Sequence, residues 1–416
     1  MDVRAGFKQT EAGLIPEQWA VSTVGKEFEV KLGKMLDADR NAGAPKPYLG
    51  NRAVQWGRID TTDLPTVPMS RADIEKYRLQ HGDLLVCEGG EVGRCAIWES
   101  PLEECYYQKA LHRLRPLRGF DPRVMAAFLR QWSDVGFLAN YVTQTSIAHL
   151  PREKLMDVPL AVPPPAEQRA IAEALSDVDA LLDGLDRLIA KKRDIKQAAM
   201  RQLLTGQIRL PGFQGEWEVK RLGELGSTYG GLTGKNKADF GSGSAKYVTF
   251  MNVMTNIVVD HSMFDSVRVS PSENQNLVKR GDLLLNGSSE TPEEVALCSI
   301  VATEEKNLFL NSFCFGFRPN SDAGVDGLFL AAYIRSTEGR EIMKSLAQGS
   351  TRYNLSKRAF LEAAIRLPSL SEQSAIAGVL ADMDAEITAL EARRDKARAL
   401  KQGMMQELLT GRTRLV

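Results

Sequence analysis

EQRAIAEALSDVD at 167–179 and EQSAIAGVLADMD at 372–384 are two copies of one pattern, and their reading decides the fold. Each copy runs on without a gap to LLTG, at 203–206 and at 408–411, with the same offset of 205 residues at both ends. Neither copy contains proline. Prolines 163 to 165 and Pro368 stand just upstream and a glycine closes each copy, the start and stop signals of a helix. Apolar residues step by four and three along the first copy (Ile171, Leu175, Val178, Leu182, Leu185, Ile189), and the second keeps the register (Ile376, Leu380, Met383, Ile387, Leu390). That spacing predicts a coiled-coil seam. The competing reading, a helix lying on its own domain's core, fits the length poorly. Some 38 residues rising ~1.5 Å each make roughly 57 Å, longer than a small domain is wide.

Charge orients the pair. From Glu167 to Arg187 there are six acids and two bases, and from Leu188 to Gly206 one acid and five bases. The second copy has five acids and no base from Glu372 to Glu391, then two acids and five bases to Gly411. Parallel helices would set like against like, so the pair is expected to be antiparallel. Fainter echoes extend the repeat outward: Trp19, Val21 and Gly25 recur as Trp217, Val219 and Gly223, and HGDLLV (81–86) as RGDLLL (280–285). The expected architecture is therefore an α/β (α+β) chain with a pseudo-two-fold internal repeat. Two mixed α/β domains, 1–160 and 211–365, alternate with helical spacers at 161–210 and 366–416. Strand-like runs are Asp83–Cys87, Tyr247–Val253, Asp282–Leu285 and Phe309–Phe317, with helices near Arg123–Trp132 and Gly327–Leu346.

Composition excludes more than it identifies. With 43% hydrophobic and 25% charged residues the chain resembles an ordinary globular protein of two or three domains. No apolar run is long enough to cross a membrane, and the opening MDVRAGFKQTEAGLIPEQW lacks a signal core, so a cytoplasmic protein is expected. Five cysteines (Cys87, Cys95, Cys105, Cys298, Cys314) form no CxxC pair, which argues for idle or buried thiols. GGLTGKN from Gly230 fails as a phosphate loop: Tyr229 holds the first glycine position and Asn236 follows the lysine. No HExxH, GxSxG or His/Cys nucleophile arrangement is present, so no catalytic residue and no metal site are assigned. The net charge is zero, from 53 bases and 53 acids, which a simple nucleic-acid binder would not show.

The duplicated order of motifs resembles the specificity subunits of type I restriction–modification systems. It is carried by PPPAEQRAIA (163–172) and LPSLSEQSAIA (367–377), by TEAGLIPEQWAV (10–21) and GFQGEWEVKRLGEL (212–225), by the two GDLL turns, and by YLGNRAVQWGRID (48–60) and CYYQKALHRLRP (105–116). The resemblance spans essentially the whole chain. It implies that each variable domain is a target-recognition domain reading one half of a split site in double-stranded DNA. The helices would dock two methyltransferase subunits, and restriction/translocase subunits can join. S-adenosylmethionine, ATP and magnesium are then expected on those partners and no cofactor on this chain. The loops GGLTGKNKADFGSG and NGSSETPEEV match the first domain poorly.

Base edges are read by Arg, Lys, Asn and Gln, and phosphates by any cation or donor. Bases cluster at 108–123 (Lys109, Arg113, Arg115, Arg118, Arg123), at 344–358, and in the loop 231–246. The DNA-contact candidates are Arg52, Gln55, Arg58, Lys109, Arg113, Ser146 and His149 in the first domain. Those in the second are Lys235, Lys237, Thr351, Arg352 and Asn354. Trp56 reads as a core residue. Ser146 and His149 occupy the place of Thr351 and Asn354 ahead of the matching helix. Two other readings compete: a two-domain adaptor without sequence-specific DNA binding, and an enzyme with an unfamiliar site.

Overall fold

The computed structural model describes residues 5–37, 41–144 and 148–415. They form two compact units: one runs through Asp186 and resumes at Arg393, and the other is Arg187–Ala392.

Both units are built on one plan. In the first, a central antiparallel sheet has the order Cys95–Ile97, Leu84–Cys87, Leu111–Pro116, Phe28–Leu32. In the second the corresponding order is Cys298–Ile300, Leu283–Asn286, Cys314–Pro319, Gly226–Gly230. Beside each lies a three-stranded mixed sheet. Ala44–Leu49 pairs antiparallel with Thr66–Met69 and parallel with Tyr106–Tyr107. Phe240–Val248 pairs in the same two senses with Phe264–Val267 and Leu308–Leu310. A third antiparallel pair, Ala20–Thr23 with Pro159–Val162, or Glu218–Arg221 with Ala364–Leu367, leads into each long helix.

The unbroken apolar run in each GDLL motif follows from this layering. Successive strand residues point to opposite faces. Leu84 and Val86 pack on the helix Pro122–Asp134, through Val124, Met125 and Phe128. Leu85 and Cys87 pack against Leu49, Trp98 and Tyr107 on the other face. In the second unit Leu283 and Leu285 meet Phe329 and Leu330, while Leu284 faces Val248 and Leu308. A strand buried on both sides shows no alternation.

Three elements differ from the sequence reading. Tyr247–Val253 is not one strand: it ends at Val248, and the Thr249 hydroxyl accepts from the Asn252 N–H to cap a short helix, Phe250–Thr255. Phe309–Phe317 is two strands, split where the Cys314 N–H donates to the Asn311 carbonyl. Gly327–Leu346 is two helices broken at Ser336, whose hydroxyl caps the second by accepting from the Gly339 N–H. A Cβ on Gly339 would stand 2.0 Å from the Tyr333 carbonyl oxygen, so the break needs glycine there.

The repeated segments are helices, Pro165–Leu203 and Leu370–Leu408, and they pair antiparallel within each unit. In the first unit Asp179 meets Lys401 at 2.5 Å, and Asp186 meets Arg398 and Arg394. In the second, Lys192 meets Glu386 at 2.7 Å, with Arg193–Glu391 and Lys196–Asp384 beside it. Such partly exposed pairs contribute about 0–1 kcal/mol each and serve to set direction. Burial of Ile171, Leu175, Leu185 and Ile189, and of Ile376, Leu380 and Ile387, follows the predicted seam.

The strongest tie lies at each helix start. The Glu167 carboxylate is fully buried and accepts from Trp19 Nε1 at 2.9 Å and from both Nε and Nη2 of Arg414. Glu372, equally buried, accepts from Nε and Nη2 of Arg209. The neighbouring glutamines join helix to domain. Gln168 accepts from the Asp121 N–H and donates to the Pro163 carbonyl; Gln373 accepts from the Asp326 N–H and donates to the Pro368 carbonyl. Asp121 and Asp326 in turn cap the helices that cover the central sheets.

One asymmetry in this tie is testable. Among the described residues Trp217 Nε1 is buried with no hydrogen-bond partner, whereas Trp19 Nε1 serves Glu167. We expect Trp19→Phe to destabilise the first unit by about 1.5–3 kcal/mol more than Trp217→Phe destabilises the second, because hydrogen bonds to buried charges are the strong ones. Thermal unfolding of the two variants decides it. Equal losses would show that the indole adds nothing to the carboxylate's hold.

Candidate nucleic-acid interface

In both units three segments meet where the GDLL strand ends. In the first, the Glu88 N–H donates to the Ala110 carbonyl and the Glu88 carbonyl accepts from the Leu150 N–H. Gly89 bridges to His149, and a Cβ on Gly89 would lie 3.0 Å from the His149 Nδ1. In the second, the Gly287 N–H donates to the Phe313 carbonyl and the Gly287 carbonyl accepts from the Leu355 N–H. Ser288–Ser289 then pairs with Tyr353–Asn354. The end of the central strand, the turn before the next strand and the segment ahead of the long helix thus form one loop edge per unit.

Several sequence candidates sit on these edges. Lys109 and His149 are exposed at the first junction. The turn holding Arg52 docks there, because Asn51 Nδ2 donates to the Gly89 carbonyl at 3.1 Å. Arg52 is exposed, and Gln55 is half-buried with its amide donating to the Arg52 carbonyl. Arg58 is exposed on the hairpin Val54–Gln55/Arg58–Ile59. Ser146 lies outside the described residues. At the second junction Thr351, Arg352 and Asn354 are all exposed, and Asn354 Nδ2 donates to the Arg352 carbonyl at 3.2 Å. Lys237 is exposed on the one-turn helix Lys237–Asp239. Trp56 is half-buried with Arg130 over its ring, 4.7 Å from the centroid.

Two candidates are committed elsewhere. Arg113 is buried and its guanidinium is paired with Glu29, so it holds two strands together and reaches no surface. Lys235 donates to the Arg268 carbonyl at 2.6 Å and to Glu273 at 2.5 Å. The Lys235 ammonium and the Ser270 N–H hold the Glu273 carboxyl down to about 2, so this is a loop clasp. The basic clusters thin out in the same way. Arg115 pairs with Asp83, Arg123 with Asp121, Lys344 with Glu293 and Arg358 with Glu362. Arg318 repeats the Arg115 pair on Asp282. Sequence reasoning missed Asn51, whose Oδ1 is buried with no hydrogen-bond partner among the described residues, and Phe313, a phenylalanine 56% exposed at the second junction.

The chemistry of the remainder is quiet. All five cysteines are free and buried, and burial pushes the thiols of Cys105, Cys298 and Cys314 up to about 12, far from a reactive thiolate. Among the described residues no group of three or more His, Cys, Asp or Glu could hold a metal, and no helix is long and apolar enough to cross a membrane.

A domain used twice, each copy tied by a buried Glu–Gln pair to a long helix and ending in an edge of exposed cations and amides, defines a duplicated recognition protein. The model of the type I restriction modification DNA specificity domain matches residues 16–192 and again 214–398. The chain belongs to the family of type I restriction–modification specificity subunits and carries its DNA specificity domain twice. It is 26% identical to the putative type I restriction enzyme MjaX specificity subunit of Methanocaldococcus jannaschii, over 98% of this chain and 97% of that one. The EcoKI specificity subunit of Escherichia coli is 23% identical over 96% and 89% of the two chains. Among solved structures, the S subunit of a type I system from M. genitalium covers 98% of both chains at 15% identity and TM-score 0.56. A chain from a structure of complex assembly and conformational transition in a type I R-M system gives TM-score 0.61 at 15% identity, over 95% and 99%.

Two outcomes follow. His112 is fully buried, its Nε2 donates to the Leu150 carbonyl at 2.8 Å, and burial pushes the imidazole below its ordinary value of 6.5. Above 6.5 neither state is charged. Below it the unfolded chain takes up a proton that the folded one resists, so the first unit should lose stability as the pH falls from 6.5. Phe315 takes this place in the second unit, and His112→Phe should flatten that part of the pH profile of unfolding. Separately, Arg113→Gln should lower the melting temperature. Lys109→Ala should leave it unchanged while weakening DNA binding and reducing the salt slope by about one. Equal melting temperatures would make Arg113 dispensable to the core.

Proposed function

We propose that each unit reads one half of a two-part site in double-stranded DNA and that the long helices carry two methyltransferase subunits, to which restriction/translocase subunits add. The observation carrying this reading is the pair of equivalent edges built on one backbone plan from different side chains. Gly89, Lys109 and His149 occupy the first, and Ser288, Phe313 and Asn354 the second. Identical scaffolds with different edge chemistry are what two unlike half-sites require. Arg52, Arg58, Lys109, Lys237, Arg352 and Asn354 are the contacts favoured by exposure. Leu188 and Ile195, one heptad apart on the first long helix, are 38% and 43% exposed and offer apolar surface to a partner. This chain is the non-catalytic member of the assembly. S-adenosylmethionine, ATP and magnesium belong to its partners, and the complex works in the cytoplasm.

The experiment is base-resolution mapping of methylated sites in cells expressing the chain with its cognate methyltransferase subunit. A split motif is expected, and exchanging residues 1–160 for the equivalent domain of a relative should change one half only. If both halves change together, the two-reader model fails. The purified chain alone should neither methylate nor cut, and methylation should appear once the methyltransferase and S-adenosylmethionine are added.

A further inference from the structure

The second unit's edge carries an apolar feature that the first lacks. Phe313 stands where the first unit has Ala110. Phe313 is 56% exposed and its backbone is fixed on both sides. Its N–H donates to Asn311 Oδ1 at 2.9 Å and its carbonyl accepts from the Gly287 N–H at 2.9 Å. The Arg352 guanidinium lies over the ring, 5.5 Å from the centroid. Among the described residues neither Arg352 nor Lys357 has a carboxylate partner, and no acid occurs from Lys344 to Arg358. The ring is therefore mounted beneath an unneutralised cation, next to the exposed amide of Asn354. A partner's apolar surface would leave that charge unpaired, whereas the polyanionic groove of a duplex neutralises it.

Resting on the reading of the second unit as a DNA reader, we propose that Phe313 is a specificity-determining residue that packs on the 5-methyl group of a thymine in the major groove. Arg352 stiffens the ring from one side and donates to the adjoining acceptors. Within the groove the thymine methyl is the one apolar mark a base pair displays, and phenylalanine is among the side chains suited to it. The alanine in the first unit is too short for the same reach, so the two half-sites differ in this demand.

The test is a chemical double-mutant cycle on the complex of the chain with its methyltransferase subunits. The duplex is the mapped motif, with each thymine of the second unit's half-site replaced in turn by deoxyuridine, which lacks only the methyl. Wild type should lose about three- to fivefold in affinity at one position, the worth of one buried methyl. Phe313→Ala, which removes an exposed side chain and should melt like wild type, should bind the two duplexes equally. Phe313→Leu should restore part of the discrimination. If no thymine separates wild type from Phe313→Ala, or the half-site contains no thymine, the inference is overturned. It is also overturned if Phe313→Ala weakens assembly with the methyltransferase and leaves DNA affinity intact. If the wild-type complex shows no sequence preference at all, the DNA-reading function falls first and the inference with it.

Discussion

A carboxylate buried at the start of each long helix is the constraint on which both units depend. An isolated ionised group in that position would cost several kcal/mol. Glu167 is tolerable only because Arg414 and Trp19 reach it, and Glu372 only because Arg209 does. Both arginines come from the turn that follows the other end of a long helix, so each unit closes only when two distant stretches of chain arrive together. The adjacent glutamine passes the order on, because Gln168 and Gln373 engage the capping residues of the helices that cover the sheets. A helix, its cap, a sheet and a loop edge are thereby positioned from one EQ dipeptide. That explains why the repeat is sharpest in sequence there and blurs outward.

Legibility in the sequence follows the same gradient. The long helices were readable to their ends because period, proline, glycine and charge all agreed on them. The GDLL strands were readable because burial on two faces leaves an uninterrupted apolar run. What misled was local capping chemistry inside otherwise uniform stretches. Thr249 and Ser336 each stop one element and begin another with a single side-chain hydrogen bond, and neither signal stands out from its surroundings. The common plan of the two domains shows only as faint echoes for a different reason: the topology is held by buried apolar side chains, which tolerate exchange for one another, while the loops diverge.

The candidate contacts divide along the same physical line. Lys109, His149, Arg352 and Asn354 lie on segments whose backbone hydrogen bonds form the junctions, Arg52 lies on the turn that the Asn51 side chain docks there, and all five residues are exposed. Arg113 and Lys235 carry the same charges but sit one strand or one turn from an acid. No spacing rule distinguishes a cation facing Glu29 or Glu273 from one facing solvent. Phe313 lies inside the run Phe309–Phe317 that reads as one strand, and only the split into Leu308–Leu310 and Cys314–Pro319 puts it in an exposed turn.

Charge neutrality then acquires a structural meaning. The apparent basic stretch at 108–123 holds five cations, yet Arg113, Arg115 and Arg123 are matched by Glu29, Asp83 and Asp121, and Arg118 lies 3.9 Å from Glu27. Only Lys109 is left without an acidic partner among the described residues. Most of that stretch secures strands and caps, and it projects little field toward a polyanion. On the proposed reading, the chain's own attraction for DNA rests on a few cations at the loop edges, Lys109 among them. Such a division suits a recognition subunit. A reader with few free cations has weak nonspecific attraction of its own, which leaves discrimination to base-edge contacts.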